Sequence, residues 1–205
     1  MTEEITPDKN IASAMVSIAD FSKEASEKII QQASQLKKLI ELIMKVYQSN
    51  QRLFVMGEGR SGLVGRAFAM RARHLDFHAH VIGESTTPRV RENDLVMVIS
   101  GSGTTSTNIT HCLTIIEIGA DIVAITSKTD SPLGRLADVA IELPGREGIE
   151  DVIDYNRRHL IGGPPLAPLG TLFEITALIF LDALIQELMP LTKTTEKEME
   201  KRHSI

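Results

Sequence analysis

From Asn10 to Ser49 apolar residues recur at helical spacing, with Ile11, Met15 and Ile18, then Leu36, Leu39, Ile40 and Ile43, on one stripe. No Pro or Gly falls in this stretch, so it predicts helix, with Ser22 to Ser26 as the place where it breaks in two. The grammar then changes to short apolar runs: Arg52–Met56, His78–Ile82, Asp94–Ile99, Asp121–Thr126 and Val139–Leu143. Helical patterns separate them, at Leu63–Leu75 and through Ile109, Cys112, Leu113 and Ile116. Apolar strands alternating with helices predict a parallel sheet covered on both faces. The expected fold is therefore α/β, a three-layer αβα sandwich around a five-stranded parallel sheet. Residues 1–49 give N-terminal helices, 50–143 the α/β core, 144–168 a polar loop rich in Gly and Pro, and 169–205 C-terminal helices. Leu169–Leu188 is apolar nearly all round and predicts a buried helix, with a subunit interface as one place to bury it. Thr194–His203 predicts a charged helical tail.

Composition narrows the function classes. The 205 residues suit one domain with a sizeable core. Aromatics are only 4% with no Trp, and the 22 Lys and Arg are scattered in a chain of net charge −5. Both facts argue against a nucleic-acid partner, which needs a basic face or a stacking platform. Cys112 is the lone cysteine, which excludes an internal disulfide and a thiolate metal cage. The N-terminus lacks the pattern of a signal peptide and no apolar run is long enough for a membrane span, so a cytoplasmic protein is expected.

Two glycine-rich stretches follow apolar strands, at the sheet edge where ligands of open α/β proteins bind. Ser100-Gly101-Ser102-Gly103-Thr104-Thr105 suits a phosphate: glycines admit close approach, four hydroxyls add donors, and a helix N-terminus follows. An ordinary strand-to-helix turn with a Ser or Thr N-cap is the plainer alternative. Gly57-Glu58-Gly59-Arg60-Ser61-Gly62 meets G-x-G-x-x-G, and Glu84 lies where a dinucleotide site wants an acid. Arg60 and Ser61 put a cation and a hydroxyl in that loop, which fits a sugar phosphate better than a nicotinamide cofactor.

Glu174 is the one carboxylate in Leu172–Phe180. A lone acid among apolar neighbours is suited to carrying a proton, because burial disfavours its charged form. Equally, Thr171-Leu172-Phe173-Glu174 fits a capping box. His203 reads as a frayed terminal residue, His78 and His80 as exposed strand positions without a third metal ligand, and Cys112 as core packing.

Taken in order, Gly57–Gly62, Gly83-Glu84 with Thr87-Pro88, Ser100–Gly103, Pro168–Glu174 and Arg202-His203 resemble the sugar isomerase (SIS) domain proteins, and within them the 6-phospho-3-hexuloisomerase family. The resemblance runs from about Ile11 to the end. It implies a single SIS domain that interconverts D-arabino-hex-3-ulose 6-phosphate and D-fructose 6-phosphate through a cis-enediol, without metal or cofactor. It also implies a homotetramer with active sites at subunit interfaces, Glu174 as proton carrier, and His203 as a residue reaching a neighbouring subunit's site. Gly59, Arg60, Ser61, Glu84, Ser100, Gly101, Ser102, Gly103, Thr104 and Thr105 would hold the sugar phosphate. Two departures stand out. Thr104 replaces the family's usual Glu, and the stretch from Glu147 to Pro165 is longer than the family pattern. An arabinose 5-phosphate isomerase and a non-catalytic sugar-phosphate sensor are the rival readings.

Overall fold

A computed structural model describes residues 7–145 and 171–203. Most of the expected 144–168 loop, and the Pro168-Leu169-Gly170 part of the C-terminal motif, lie outside the described residues. Helix α1 (Pro7–Lys28) runs through a 3₁₀ turn (Ile29–Gln32) into α2 (Ala33–Gln48). There follow β1 (Arg52–Met56), α3 (Gly59–His74), β2 (His78–Val81), β3 (Leu95–Ile99), α4 (Ser106–Ile118), β4 (Asp121–Thr126), α5 (Pro132–Leu136) and β5 (Val139–Glu142). Helices α6 (Thr171–Thr192) and α7 (Glu196–Arg202) complete the described chain.

The five strands form one parallel sheet in the order β2-β1-β3-β4-β5. Alternate residues feed two cores. Leu53, Val55, Leu95, Met97, Ile99, Val123 and Ile125 face one side, where α2, α3 and α6 supply Leu39, Phe68 and Leu181. Phe54, Met56, Val96, Val98, Ile122 and Ala124 face the other, against Cys112 and Ile115 of α4 and Leu133 of α5. This is why the central strands read as continuous apolar runs: every residue of β3 is buried, with successive residues facing helices on opposite sides of the sheet.

The break in the N-terminal helices falls at Ile29–Gln32 and not at Ser22–Ser26. Ser22 and Ser26 donate back to the carbonyls of Ile18 (2.9 Å) and Ser22 (2.7 Å), so the helix absorbs them. The 3₁₀ turn sets Gln32 on the outer edge of β5, where its amide donates to Glu142 O (2.7 Å) and accepts from Glu142 N (2.8 Å). A side chain thereby covers a strand edge that would otherwise stand open. The predicted stripe also divides: Leu39 and Ile43 are fully buried, whereas Ile11 and Met15 are 61% and 66% exposed. Helix α6 buries Leu172, Ala177, Leu181, Ile185 and Leu188 but turns Leu178 and Ile179 outward, so it is not buried all round. Between α1 and α6 runs an apolar groove lined by Met15, Ile18, Ile175 and Ile179. Among the described residues no helix is long and apolar enough to cross a membrane.

Candidate active site

The strand order reverses direction between β1 and β3: the chain goes from β1 outward to β2, then returns to β3 on the other side. In an open parallel sheet this switch point leaves a crevice beyond the strands' carboxyl ends. Both glycine-rich loops stand there, one leaving β1 and one leaving β3. They touch, since a Cβ on Gly57 would lie 2.7 Å from the carbonyl oxygen of Ile99, the residue before Ser100. The order 2-1-3-4-5 also differs from the dinucleotide-binding order 3-2-1-4-5-6, so G-x-G-x-x-G serves here as a tight strand-to-helix turn.

The β3–α4 loop is tied down from behind. Gly101 O accepts from Ser127 N (3.0 Å) and Thr126 Oγ1 (3.3 Å), and Gly103 O accepts from Leu133 N (3.0 Å). Gly103 takes the left-handed turn conformation, φ +61°. Thr105 occupies the N-cap of α4, yet its side chain makes no cap bond to the first turn. Its Oγ1 faces the buried Ser100 Oγ at 3.3 Å instead. Ser102, at the exposed lip, accepts from Thr104 N (3.3 Å) and meets Thr104 Oγ1 (3.1 Å). Glu58, the N-cap of α3, makes no side-chain cap bond either, and Ser61 is buried in that helix's first turn. Two uncapped helix N-termini and a set of hydroxyls therefore meet at one crevice, an arrangement suited to a phosphoryl dianion.

Helix α6 reaches the crevice through its first turn. The ring of Phe173 lies 3.0 Å from where a Cβ on Gly101 would stand, so this glycine is what lets the helix come so close. The next residue, Glu174, is 13% exposed at its side chain, and its Oε2 accepts from Arg60 Nε at 3.3 Å. Thus the carboxylate turns toward the first loop. A complete capping box lies elsewhere, at Thr195 and Glu198, where Glu198 N donates to Thr195 Oγ1 (3.3 Å) and Thr195 N donates to Glu198 Oε2 (2.8 Å). The bonds from Thr195 hold the Glu198 carboxyl below the usual carboxylate range.

Two other expected site residues stand apart. Glu84, just past β2, forms an exposed pair with Arg66 Nε of α3 at 3.5 Å. His203 follows α7 beside His74, with ring centroids 5.2 Å apart, and Arg202 Nη1 donates to His74 O (2.9 Å). Burial, and then the neighbouring His203 and Arg71, push the His74 pKa down. His74 closes the far end of α3, whose 16 residues span about 24 Å from the loop at Gly59. His203 therefore lies away from the glycine-rich loops of its own chain.

Sequence alone does not pair Arg60 with Glu174 or set Phe173 against Gly101, contacts between residues more than 70 positions apart. Nor does it single out Asn108, which is buried in the first turn of α4. A signal for that residue exists: it falls four positions before Cys112 and seven before Ile115, a polar side chain on an apolar stripe. Cys112 itself is core packing. Burial pushes its thiol up to about 11, so it is neutral near pH 8. Native protein is accordingly expected to leave a thiol-reactive dye unconsumed at about pH 8, with one equivalent reacting only after denaturation. Among the described residues no group of three or more His, Cys, Asp or Glu is placed to hold a metal ion.

A family model for the SIS domain matches residues 45–153. A protein of Aeropyrum pernix is 46% identical over 83% of this chain and 81% of its own length. The Methanocaldococcus jannaschii protein named 3-hexulose-6-phosphate isomerase is 37% identical over 83% of both chains. A crystal structure of a Methanococcus jannaschii protein, for which that same function was inferred, superposes with a TM-score of 0.73 at 32% identity, covering 96% of this chain and 98% of that one.

Proposed function

The chain belongs to the SIS domain family, and from that membership we propose that it is a sugar-phosphate isomerase interconverting D-arabino-hex-3-ulose 6-phosphate and D-fructose 6-phosphate. The observation that carries the reading is a largely buried carboxylate, Glu174, held beside a hydroxyl-lined loop and facing Arg60. Relatives named 3-hexulose-6-phosphate isomerase, 35–38% identical, support the choice of reaction.

The phosphate would sit on Ser100, Ser102, Thr105 and the open first turns of α3 and α4, with Ser61 beneath. Anchoring it at C6 swings the other end of the open-chain sugar toward Glu174, converting a collision into a fixed approach. From fructose 6-phosphate, the carboxylate takes the proton on C3; the C2 carbonyl becomes the second oxygen of a 2,3-enediol. Return of that proton to C2, as the C3 hydroxyl passes its own to the C2 oxygen, leaves a ketone at C3 and a hydroxyl at C2. No atom is gained or lost, and one carboxylate serves both carbons. Arg60, 58% exposed and paired at 3.3 Å, can shift from Glu174 to the oxygen where enediolate charge develops. Glu84 would contact sugar hydroxyls on the β2 side.

His203 would move protons between the substrate oxygens in a neighbouring subunit, since its own crevice lies a helix length away. The exposed apolar residues Ile11, Met15, Val16 and Ile179 support an assembly, and we read it as a homotetramer in the cytoplasm. The direct test offers the protein fructose 6-phosphate and arabinose 5-phosphate and follows product by NMR. Conversion of the former to the 3-ulose is expected; turnover of neither sugar overturns the enzyme reading. The cross-subunit role has its own check. His203→Ala and Glu174→Gln, each nearly inactive alone, should regain activity when unfolded together and refolded as a mixture. No recovery would remove His203 from the neighbour's site.

A further inference from the structure

Asn108 is 2% exposed, and its Nδ2 is a buried donor with no hydrogen-bond partner. Only one other such side-chain atom occurs among the described residues, Gln35 Oε1 on α2. An unpaired buried donor costs stability, so its presence calls for a reason.

The place of Asn108 supplies one. Counting from the Thr105 N-cap, it is the third residue of α4. Helical side chains lean toward the N-terminus, so a side chain at this position covers the turn before it. This chain provides its own example: Glu198, the third residue of α7, reaches back to the N-cap amide of Thr195 at 2.8 Å. In α7 both the N-cap hydroxyl and the third side chain close the first turn. In α4 neither does. Thr105 turns to Ser100, and Asn108, at the position where α7 carries an acceptor, carries an unpaired donor. Asparagine is also one methylene shorter than glutamate, so its complement is an acceptor brought into that turn from outside.

We infer that Asn108 is a ligand of the phosphoryl group, its Nδ2 donating to a phosphate oxygen seated on the first turn of α4. The inference builds on the sugar-phosphate reading but requires only that an anion occupies this loop. It adds a buried neutral donor, Asn108, to the exposed hydroxyls of Ser102 and Thr104.

The test is calorimetric titration of the full chain with inorganic phosphate, alongside KM for fructose 6-phosphate. Asn108→Leu keeps the volume and removes the donor. Phosphate affinity is expected to fall about 10- to 100-fold, as for a hydrogen bond to a charged group, and KM to rise in step. The melting temperature of the ligand-free protein should hold or rise, because an unpaired buried donor has gone. Gln35→Leu, removing the other orphan, should leave phosphate affinity untouched. An Asn108→Leu protein that binds phosphate within about twofold of wild type overturns the inference, as does a wild type that binds no phosphate. Should the leucine variant fail to fold, Asn108→Asp is the same size and sets a carboxylate against the anion. Its affinity must then fall further still, and an unchanged value overturns the inference equally. The two readings can also part company. If the wild type turns over no sugar phosphate, yet binds inorganic phosphate and Asn108→Leu does not, the isomerase reading sinks and this site stands.

Discussion

Glu174→Gln is expected to lower kcat for fructose 6-phosphate by about 10²- to 10⁴-fold while leaving inorganic phosphate affinity and the fold intact. The amide keeps the shape of the side chain and loses the ability to hold a proton in transit. The two roles open to Glu174 differ enough in size to separate. An acid in the first turn of a helix is worth about 0.3–1 kcal/mol through the dipole. The contact with Arg60, whose side chain is 58% exposed, adds about 0–1 kcal/mol. Both effects are on stability and neither touches the barrier. A general base, by contrast, acts on the transition state alone, at about 1.4 kcal/mol per factor of ten. The deciding measurement is therefore kcat beside the melting temperature. Loss of kcat with a melting point shifted by only a few degrees identifies the proton carrier. Near-full activity would assign Glu174 to the helix terminus and send the search for the base elsewhere. Solvent deuterium should also enter C2 or C3 during wild-type turnover and not in the glutamine variant.

The central strands can be read from the sequence because burial on both faces leaves a mark on each of their residues, as Leu95-Val96-Met97-Val98-Ile99 illustrates. The position of the Ser/Gly loop is equally legible, because a run that ends such a strand must land on the carboxyl edge of the sheet. What escapes is decided by distant residues. The helix break at Ile29–Gln32 goes with a contact from Gln32 to Glu142, 110 positions away. No local pattern favours that over Ser22, whose hydroxyl merely folds back on its own helix. Arg60 and Glu174 each stand out singly, and their pairing needs the fold to bring α6 onto Gly101. Helix α5 is only five residues long and carries no periodicity, though Ser131 with Pro132 behind it is a start signal. Its Ser131 Oγ does accept from Gly134 N at 3.1 Å.

Asp94→Ala is expected to cost about 3–5 kcal/mol of folding free energy, a large share of the total for a domain of this size. The sequence marks Asp94 only as the polar first residue of an apolar run. In the structure it is fully buried and binds four donors: Arg52 N (3.0 Å), Arg52 Nε (3.4 Å), Arg52 Nη2 (3.1 Å) and Arg91 N (2.8 Å). It therefore joins the starting ends of β1 and β3, the two strands whose other ends carry the glycine-rich loops. Alanine would leave two backbone amides and a guanidinium, itself only 15% exposed, without their acceptor. That is worse than losing an ion pair at the surface, because the abandoned charge cannot reach water freely. Asp94→Asn keeps one oxygen for the backbone amides and loses the charge, so its cost should fall between alanine and wild type. Arg52→Met combined with Asp94→Ala should cost less than the two changes summed, since each alone strands the other's partner. Urea denaturation at fixed temperature measures each of these proteins. The strands are five residues long, so this cluster lies about 16 Å from the glycine-rich loops. Phosphate affinity of the folded fraction should accordingly match wild type, with activity falling only as the folded population does. A midpoint shift equivalent to less than about 1 kcal/mol would mean that water reaches the stranded guanidinium, and that the cluster is surface electrostatics after all.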